Sequence, residues 1–275
     1  VKPDAAEITR ASKSNLALAF VSLGRERRRD MTAFYAFCRV IDDIADTVDR
    51  PVEEKANALA AWRARLRAAQ PNEPQLAGEV RALMAKYSLP VAMLEEIIAG
   101  VEMDLSKSRY ATFQDLHLYC YRVASAVGLV SIEIFGYRNV ACRQYAVELG
   151  LALQMTNIIR DVAKDLQSDR IYLPQEDLAR FGCSEADLQQ HRYDDRFVRL
   201  MQFEADRAHE FFAKAAALLP REDRRSMVAA EIMGSVYRAL LRRMERDKFR
   251  VFTKNYRLNK LQKAGRITAQ LLKFF

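Results

Sequence analysis

Between Arg28 and Val48 the sequence writes a helix that is apolar around nearly its whole circumference and carries one thin polar seam. At 100° per residue, Tyr35, Arg39, Asp42 and Asp46 fall in a single stripe, because they are spaced i, i+4, i+7, i+11. Phe34, Phe37, Cys38, Val40, Ile41, Ile44 and Val48 occupy the rest. A surface helix shows a broad polar face, so this pattern requires a buried helix with its seam turned toward a cavity. The segment from Tyr145 to Asp165 repeats the arrangement. Gln154, Asn157, Asp161 and Asp165 form its seam among Leu149, Leu151, Leu153, Met155, Ile158, Ile159 and Val162. In each helix two aspartates stand one turn apart, with Cβ atoms about 6 Å from each other. An arginine lies near each pair, Arg39 and Arg160.

Helical spacing of apolar residues continues almost everywhere else. It predicts helices over 5–22, 27–49, 52–69, 74–87, 90–104, 112–135, 139–165, 194–218 and 221–247. Breaks fall at Gly24, Pro51, Pro71 to Pro74, Pro90, Gly136, Pro174, Gly182 and Pro220. The stretch 166–193 reads as non-helical, with a short helix near 184–190. Only 9 glycines and 7 prolines occur in 275 residues, too few for a sheet with many tight turns, while half the residues are hydrophobic. No Gly- or Ser-rich linker and no fixed-period repeat divides the chain. The expectation is a single all-α domain over 1–275, with a basic C-terminal tail at about 250–275.

The net charge of +8 admits anionic partners without choosing among them. Lys254, Arg257, Lys260, Lys263, Arg266 and Lys273 follow one another with no acidic residue between them. Such a run is usually a solvated tail. The sharper reading is membrane-surface contact, aided by Leu271, Leu272, Phe274 and Phe275. Nucleic acid is not expected, because the aromatics sit in apolar helical patterns rather than interleaved with a basic stripe. Cys38, Cys120, Cys142 and Cys183 are scattered without a C-x-x-C pair, which suits a reduced, cytoplasmic chain with at most peripheral contact at the inner face of the membrane. No signal peptide is recognisable, and no apolar stretch reads as long enough to span a bilayer. Oligomeric state is not legible.

Four inward carboxylates need a cationic partner, since an unpaired buried charge costs several kcal/mol (roughly) or becomes protonated. Oxygen-only ligands suit Mg²⁺ completed by substrate phosphates. A di-iron bundle is disfavoured: the three histidines, His117, His191 and His209, form no Glu-x-x-His pair. The bland alternatives are two salt-bridge networks and, for the whole chain, a non-catalytic helical scaffold, although a scaffold has no use for buried carboxylates.

The residues now become recognisable. The run Arg28-Arg29-Asp30 through Phe34-Tyr35-Ala36-Phe37-Cys38-Arg39-Val40-Ile41-Asp42-Asp43-Ile44-Ala45-Asp46 resembles the first signature of the squalene/phytoene synthase family. Gln154-Met155-Thr156-Asn157-Ile158-Ile159-Arg160-Asp161-Val162-Ala163-Lys164-Asp165, continuing to Arg170-Ile171-Tyr172-Leu173-Pro174, resembles the second. Met103-Asp104-Leu105 and Tyr119-Cys120-Tyr121-Arg122-Val123-Ala124-Ser125-Ala126-Val127-Gly128 match between them, and the likeness covers about Ser12 to Lys263.

The resemblance implies an all-α isoprenoid (terpenoid) synthase fold with a central active-site cavity lined by helices. It implies an enzyme joining two prenyl diphosphates head to head. Asp42, Asp46, Asp161 and Asp165, with Asn157, would hold Mg²⁺ against diphosphate, and Tyr35 and Arg39 would complete the catalytic set. Ser12, Lys13 and Ser14 match a phosphate-binding stretch. Tyr119, Val123, Ala124, Gln154, Arg160, Tyr172, Tyr237 and, more weakly, Lys254 match substrate-lining positions. Asn15 stands where phenylalanine is common, Ser125 for a frequent glycine, and Lys164 and Asp169 for a common acid and glycine. The implied product is a cyclopropylcarbinyl diphosphate, which can go on to phytoene by proton loss or to squalene by hydride from NADPH. The helix at Val123 to Gly128, followed by Ile134-Phe135-Gly136, looks closer to bacterial presqualene diphosphate synthases of hopanoid pathways. The preferred reading is therefore two C15 farnesyl diphosphates giving presqualene diphosphate, possible squalene formation and NADPH use left open. The runner-up is a phytoene synthase of carotenoid pathways joining two C20 geranylgeranyl diphosphates.

Overall fold

The computed structural model describes residues 19–47 and 49–274, with side chains through Lys273. Most of the helix expected over 5–22, and with it Ser12, Lys13, Ser14 and Asn15, lies outside the described residues. A short 3-10 turn at Phe20–Ser22 leads into α1 (Arg25–Asp46), α2 (Val52–Arg67), α3 (Gln75–Lys86) and α4 (Val91–Ser106). There follow α5 (Phe113–Phe135), α6 (Ala141–Leu166), α7 (Gln175–Arg180), α8 (Glu185–Gln189), α9 (Asp195–Leu218), α10 (Val228–Arg246) and α11 (Lys260–Leu271). The only extended pairing among the described residues is an isolated parallel bridge between Arg109 and Ile171. The all-α expectation holds.

Sequence punctuation acts where it was read. Gly24, Pro51, Pro74, Pro90 and Pro174 occupy the N-cap positions of α1, α2, α3, α4 and α7, where a missing or unpaired N–H costs nothing. Thr112 opens α5 with a capping box to Asp115. Gly136 ends it at φ 76°, a conformation that favours glycine. The helix expected from residue 221 begins only at Val228. Asp223 turns its buried carboxylate to accept from the backbone N–H groups of Arg138 (2.8 Å) and Asn139 (2.9 Å), and the chain bends to allow this. The six-residue α7 is too short for periodicity to reveal. Part of the basic tail forms α11, started by an Asn259–Gln262 capping box, and most of its residues are exposed.

α9 packs along α6 as the most extensive helix pair, and α5 lies between α4 and α6. The apolar faces of these helices merge with α1 and α10 into one core. α5 corrects one expectation: at 23 residues it is long and apolar enough to cross a membrane, yet more than half of it is buried inside the bundle. Its middle, Tyr121–Ser125, is a π turn. A π turn is wider than an α turn and recurs at functional sites. Two glycines make room for it. A Cβ at Gly100 on α4 would come within 2.8 Å of the Arg122 and Val123 side chains, and one at Gly150 on α6 within 2.6 Å of Ser125 Cα. Ser125 itself is buried in this contact and donates its hydroxyl to the Val147 carbonyl at 2.8 Å, so it faces α6 rather than the cavity.

Candidate active site

The polar seams converge at one end of the bundle. Asp42 and Asp46 come from the last turns of α1, Asp104 from the end of α4, and Gln154, Asn157, Arg160, Asp161, Lys164 and Asp165 from α6. Arg170 and Tyr172 arrive on the loop after α6. That loop is pinned to the α4–α5 connection by Ile171 N–H to Ser108 O (2.9 Å) and Gln175 N–H to Tyr110 O (2.8 Å). With Tyr119 and Val123, these residues line a polar pocket of about 240 Å³.

Behind it lies an apolar cavity of about 300 Å³, which shares Asp42, Val123, Gln154 and Asn157 with the pocket. Phe20, Tyr35, Ala124, Ile132, Phe135, Leu149, Leu153, Met233 and Tyr237 line it. The π turn presents Val123 and Ala124 to this space, and Tyr35 packs edge-on against Phe20. A wider groove of about 970 Å³ shares Arg160, Asp161 and Lys164 with the polar pocket and Tyr35 and Tyr237 with the apolar cavity. Every described residue expected at the site therefore borders one of three adjoining spaces. Arg39 and Lys254 reach only the groove, where Arg39 pairs with Asp43 (2.6 Å) and Lys254 with Asp247 (2.7 Å).

The electrostatics are those of crowded acids. Asp42 is exposed to the water of the pocket, but the density of protein around that pocket pushes its carboxyl up to about 7. Arg39 opposes the shift, while Asp46, Asp43 and Asp104 add to it. Asp165 is likewise pushed up to about 7, by burial and then by Asp161. Asp104 rises through burial, although the Tyr119 and Tyr172 hydroxyls donate to it at 3.0 and 2.9 Å. Two of the acids have arginine partners: Arg160 Nε donates to Asp161 at 2.7 Å, and Arg170 Nη1 lies 3.3 Å from Asp46.

Asn157 donates its amide to Gln154 at 3.2 Å, but its Oδ1 is buried with no hydrogen-bond partner. An orphaned oxygen beside carboxylates that resist ionisation is a donor set with room for a hard cation. No three Asp, Glu, His or Cys side chains among the described residues come close enough to hold a metal by themselves. The aspartate pairs face a shared space instead of a shared point.

Three residues of the pocket escaped the sequence reading. Asp104 and Arg170 lay inside recognised runs but on no seam, since each is brought in by a different element. Lys164 stood out only as a departure from the usual acid; it projects at the junction of pocket and groove, between Asp161 and Asp165 in sequence. Asp169, where glycine is common, adopts φ 53° and is held by Arg109 at 2.7 Å, which explains both the usual glycine and its tolerated replacement.

Comparison with known proteins identifies the family. The family described as squalene/phytoene synthase matches residues 9–263. A 15-cis-phytoene synthase from Synechococcus elongatus is 36% identical, over 90% of this chain and 85% of its own length. A phytoene synthase from Mycobacterium bovis is 34% identical, over 96% and 88%. Among solved structures, a dehydrosqualene synthase in complex with ligand superposes with a TM-score of 0.85 at 26% identity, covering 98% of this chain and 96% of that one. The squalene synthase HpnC from Alicyclobacillus acidocaldarius gives 0.80 at 27% identity, covering 89% and 93%.

Proposed function

The chain belongs to the squalene/phytoene synthase family and is an enzyme of the prenyltransferase type that condenses prenyl units head to head; from that premise we propose that it joins two farnesyl diphosphates into presqualene diphosphate, as one catalytic domain dependent on Mg²⁺. The observation that carries this reading is the adjoining pair of spaces: a carboxylate pocket suited to metal and diphosphate opens into an apolar cavity suited to a prenyl chain. The orphaned Asn157 Oδ1 and the oxygen-only donors fit a hard cation. Asp42, Asp46, Asp161, Asp165 and Asn157 would hold it. When bound, Mg²⁺ neutralises the leaving diphosphate.

The chain's own residues do the rest. Arg160 and Arg170 add fixed positive charge around the diphosphate oxygens and Arg39 adds charge from the adjoining groove, with Ser12, Lys13 and Ser14 expected to assist. Gln154 orients Asn157. Tyr35, Tyr119, Tyr172 and Tyr237 offer ring faces and hydroxyls along the path of the developing allylic cation, and Val123, Ala124, Leu149 and Phe135 exclude water that would quench it. The buried, free state of all four cysteines is compatible with a reducing cytoplasm.

The C15 choice draws support from the dehydrosqualene and squalene synthase structures, named for C30 products, and from the α5 sequence. The phytoene synthase names of the relatives at 34–36% identity favour two C20 units as the second reading. Purified enzyme with Mg²⁺ and each diphosphate in turn, with and without NADPH, separates the two by mass spectrometry of the products. Presqualene diphosphate from the C15 substrate is expected; phytoene from the C20 substrate with no C30 product from the C15 one would reverse the choice. Phe135→Ala, which opens the apolar cavity, should raise the relative kcat/KM for the C20 substrate.

The raised acids also set a pH dependence. Asp42 and Asp165 must lose protons to bind a cation, so the apparent Mg²⁺ requirement should fall as pH rises from about 6 to 8. Without metal the sign for stability is opposite. A carboxyl raised by folding contributes stability fully below its ordinary value near 4, and that contribution is lost as pH rises through about 7. Metal-free Asp42→Asn should therefore gain in Tm relative to wild type between pH 5 and pH 8. A gap that stays constant across that range would contradict the assignment.

A further inference from the structure

α11 is amphipathic in the wrong direction for a helix bathed in water. Its outward face consists of Leu261, Ala264, Gly265, Thr268, Ala269 and Leu272, all exposed and none charged. Leu261 is 83% and Leu272 67% exposed, among the most exposed large hydrophobic residues described. They stand eleven residues, roughly 16 Å, apart on the same face. The inward side holds half-buried Ile267 and Leu271 against the core, which corrects the expectation that Leu271 faces outward. The cations sit on the flanks: Lys260 and Lys273 are exposed at the two ends and Arg257 lies just before the helix. No acidic residue follows Asp247.

We infer that the outward face of α11 docks on an anionic bilayer surface, lying in its plane, beside the groove that leads to the active site. An uncharged, leucine-bearing face flanked by lysines is the pattern of an interfacial helix, with apolar side chains entering the acyl boundary and ammonium groups meeting acidic headgroups. A second copy of the chain is a poorer occupant, because like faces would bring Lys260, Lys273 and Arg257 against their own counterparts. Nucleic acid would have no use for the leucines. Lys263 turns from the same helix into the groove that also holds Tyr35, Arg160 and Tyr237. This arrangement sets the mouth of the site at the surface where a prenyl chain partitions. That last point rests on the proposed reaction; the docking face itself does not.

Vesicle flotation of the full chain tests the inference without turnover. Wild type should float with phosphatidylcholine vesicles containing about a third phosphatidylglycerol and far less with phosphatidylcholine alone. The double variant L261S/L272S should lose about tenfold in partitioning on the acidic vesicles. K260Q/K273Q should lose binding to acidic vesicles only, and salt should abolish the difference between it and wild type. Far-UV circular dichroism confirms that each variant is folded. Wild type that stays with the soluble fraction, or an L261S/L272S variant that floats as well as wild type, would overturn the proposal. So would a wild-type dimer in sedimentation velocity that the leucine substitutions disperse. Because no substrate is present, failure here leaves the proposed condensation standing, and failure of the condensation leaves any lipid binding intact.

Discussion

Asp42→Asn is expected to lower kcat/KM for head-to-head condensation by about 10³-fold while leaving the fold in place. A lost ligand to the metal that would neutralise the leaving group should cost at least as much as a lost oxyanion donor, about 10² to 10³ in rate. Structure should not suffer, because the neighbouring arginine, Arg39, is already paired with Asp43. The desolvating pocket and the neighbouring acids also disfavour the charge that the substitution removes. Asp161→Asn should match it in activity but not in stability. Arg160 is held by Asp161 through two nitrogens, and removing that carboxylate takes the charged partner from a mostly buried guanidinium and leaves it Tyr237, at a cost of about 1–3 kcal/mol. Product formation followed by mass spectrometry, together with thermal unfolding, checks both halves. Wild-type activity in both variants would remove the metal-diphosphate site.

Gly150→Ala should be among the most damaging single-methyl additions in the chain. The new Cβ would lie 2.6 Å from Ser125 Cα, 2.8 Å from Ser125 N and 2.9 Å from the Ala124 carbonyl carbon. These are backbone atoms of the π turn, so no side chain can step aside. Overpacking of this kind costs about 3 kcal/mol, or roughly 5–10 °C in Tm for a domain of this size. Relief by moving the π turn would displace Val123 and Ala124 from the cavity wall, so turnover should fall further than stability alone explains. Ser125→Gly should not rescue it, since the clash is with the main chain. Gly78→Ala on α3 is the control. Only the flexible Arg81 guanidinium lies within 4 Å there, at 3.9 Å, and helix propensity should give about 0.5–1 kcal/mol of stabilisation. Equal Tm changes for the two variants would contradict the packing account.

Much of this site was legible because its chemistry follows the helical period. Each seam is a set of residues three or four apart on a helix that is otherwise apolar, and burial of such a helix leaves the seam only a cavity to face. Asp42, Asp46, Asn157, Asp161 and Asp165 were found that way. Asp104 and Arg170 were not, because their place depends on how α4 and the loop after α6 dock, and no local period records docking. The π turn was invisible for the same reason: Tyr121 to Ser125 reads as ordinary helix, and the signal lies in Gly100 and Gly150 on two other helices. α11 was missed because lysines and a glycine mask its apolar positions, although the Asn259–Gln262 pair was a start signal in plain view. Tail charge pointed toward a surface; only the fold determined which leucines face outward.

The central proposal is that the two aspartate pairs, which bring no three acidic side chains together, would hold a metal jointly with diphosphate. Titrating Mg²⁺ into the enzyme by calorimetry, with and without saturating inorganic diphosphate, measures this directly. Mg²⁺ should bind weakly to the enzyme alone and at least about tenfold more tightly with diphosphate. Asp42→Asn and Asp161→Asn should each abolish the enhancement, because each takes a carboxylate from a different one of the two pairs that would hold the metal. Mg²⁺ affinity that is indifferent to diphosphate, or an enhancement that survives both substitutions, would contradict the account.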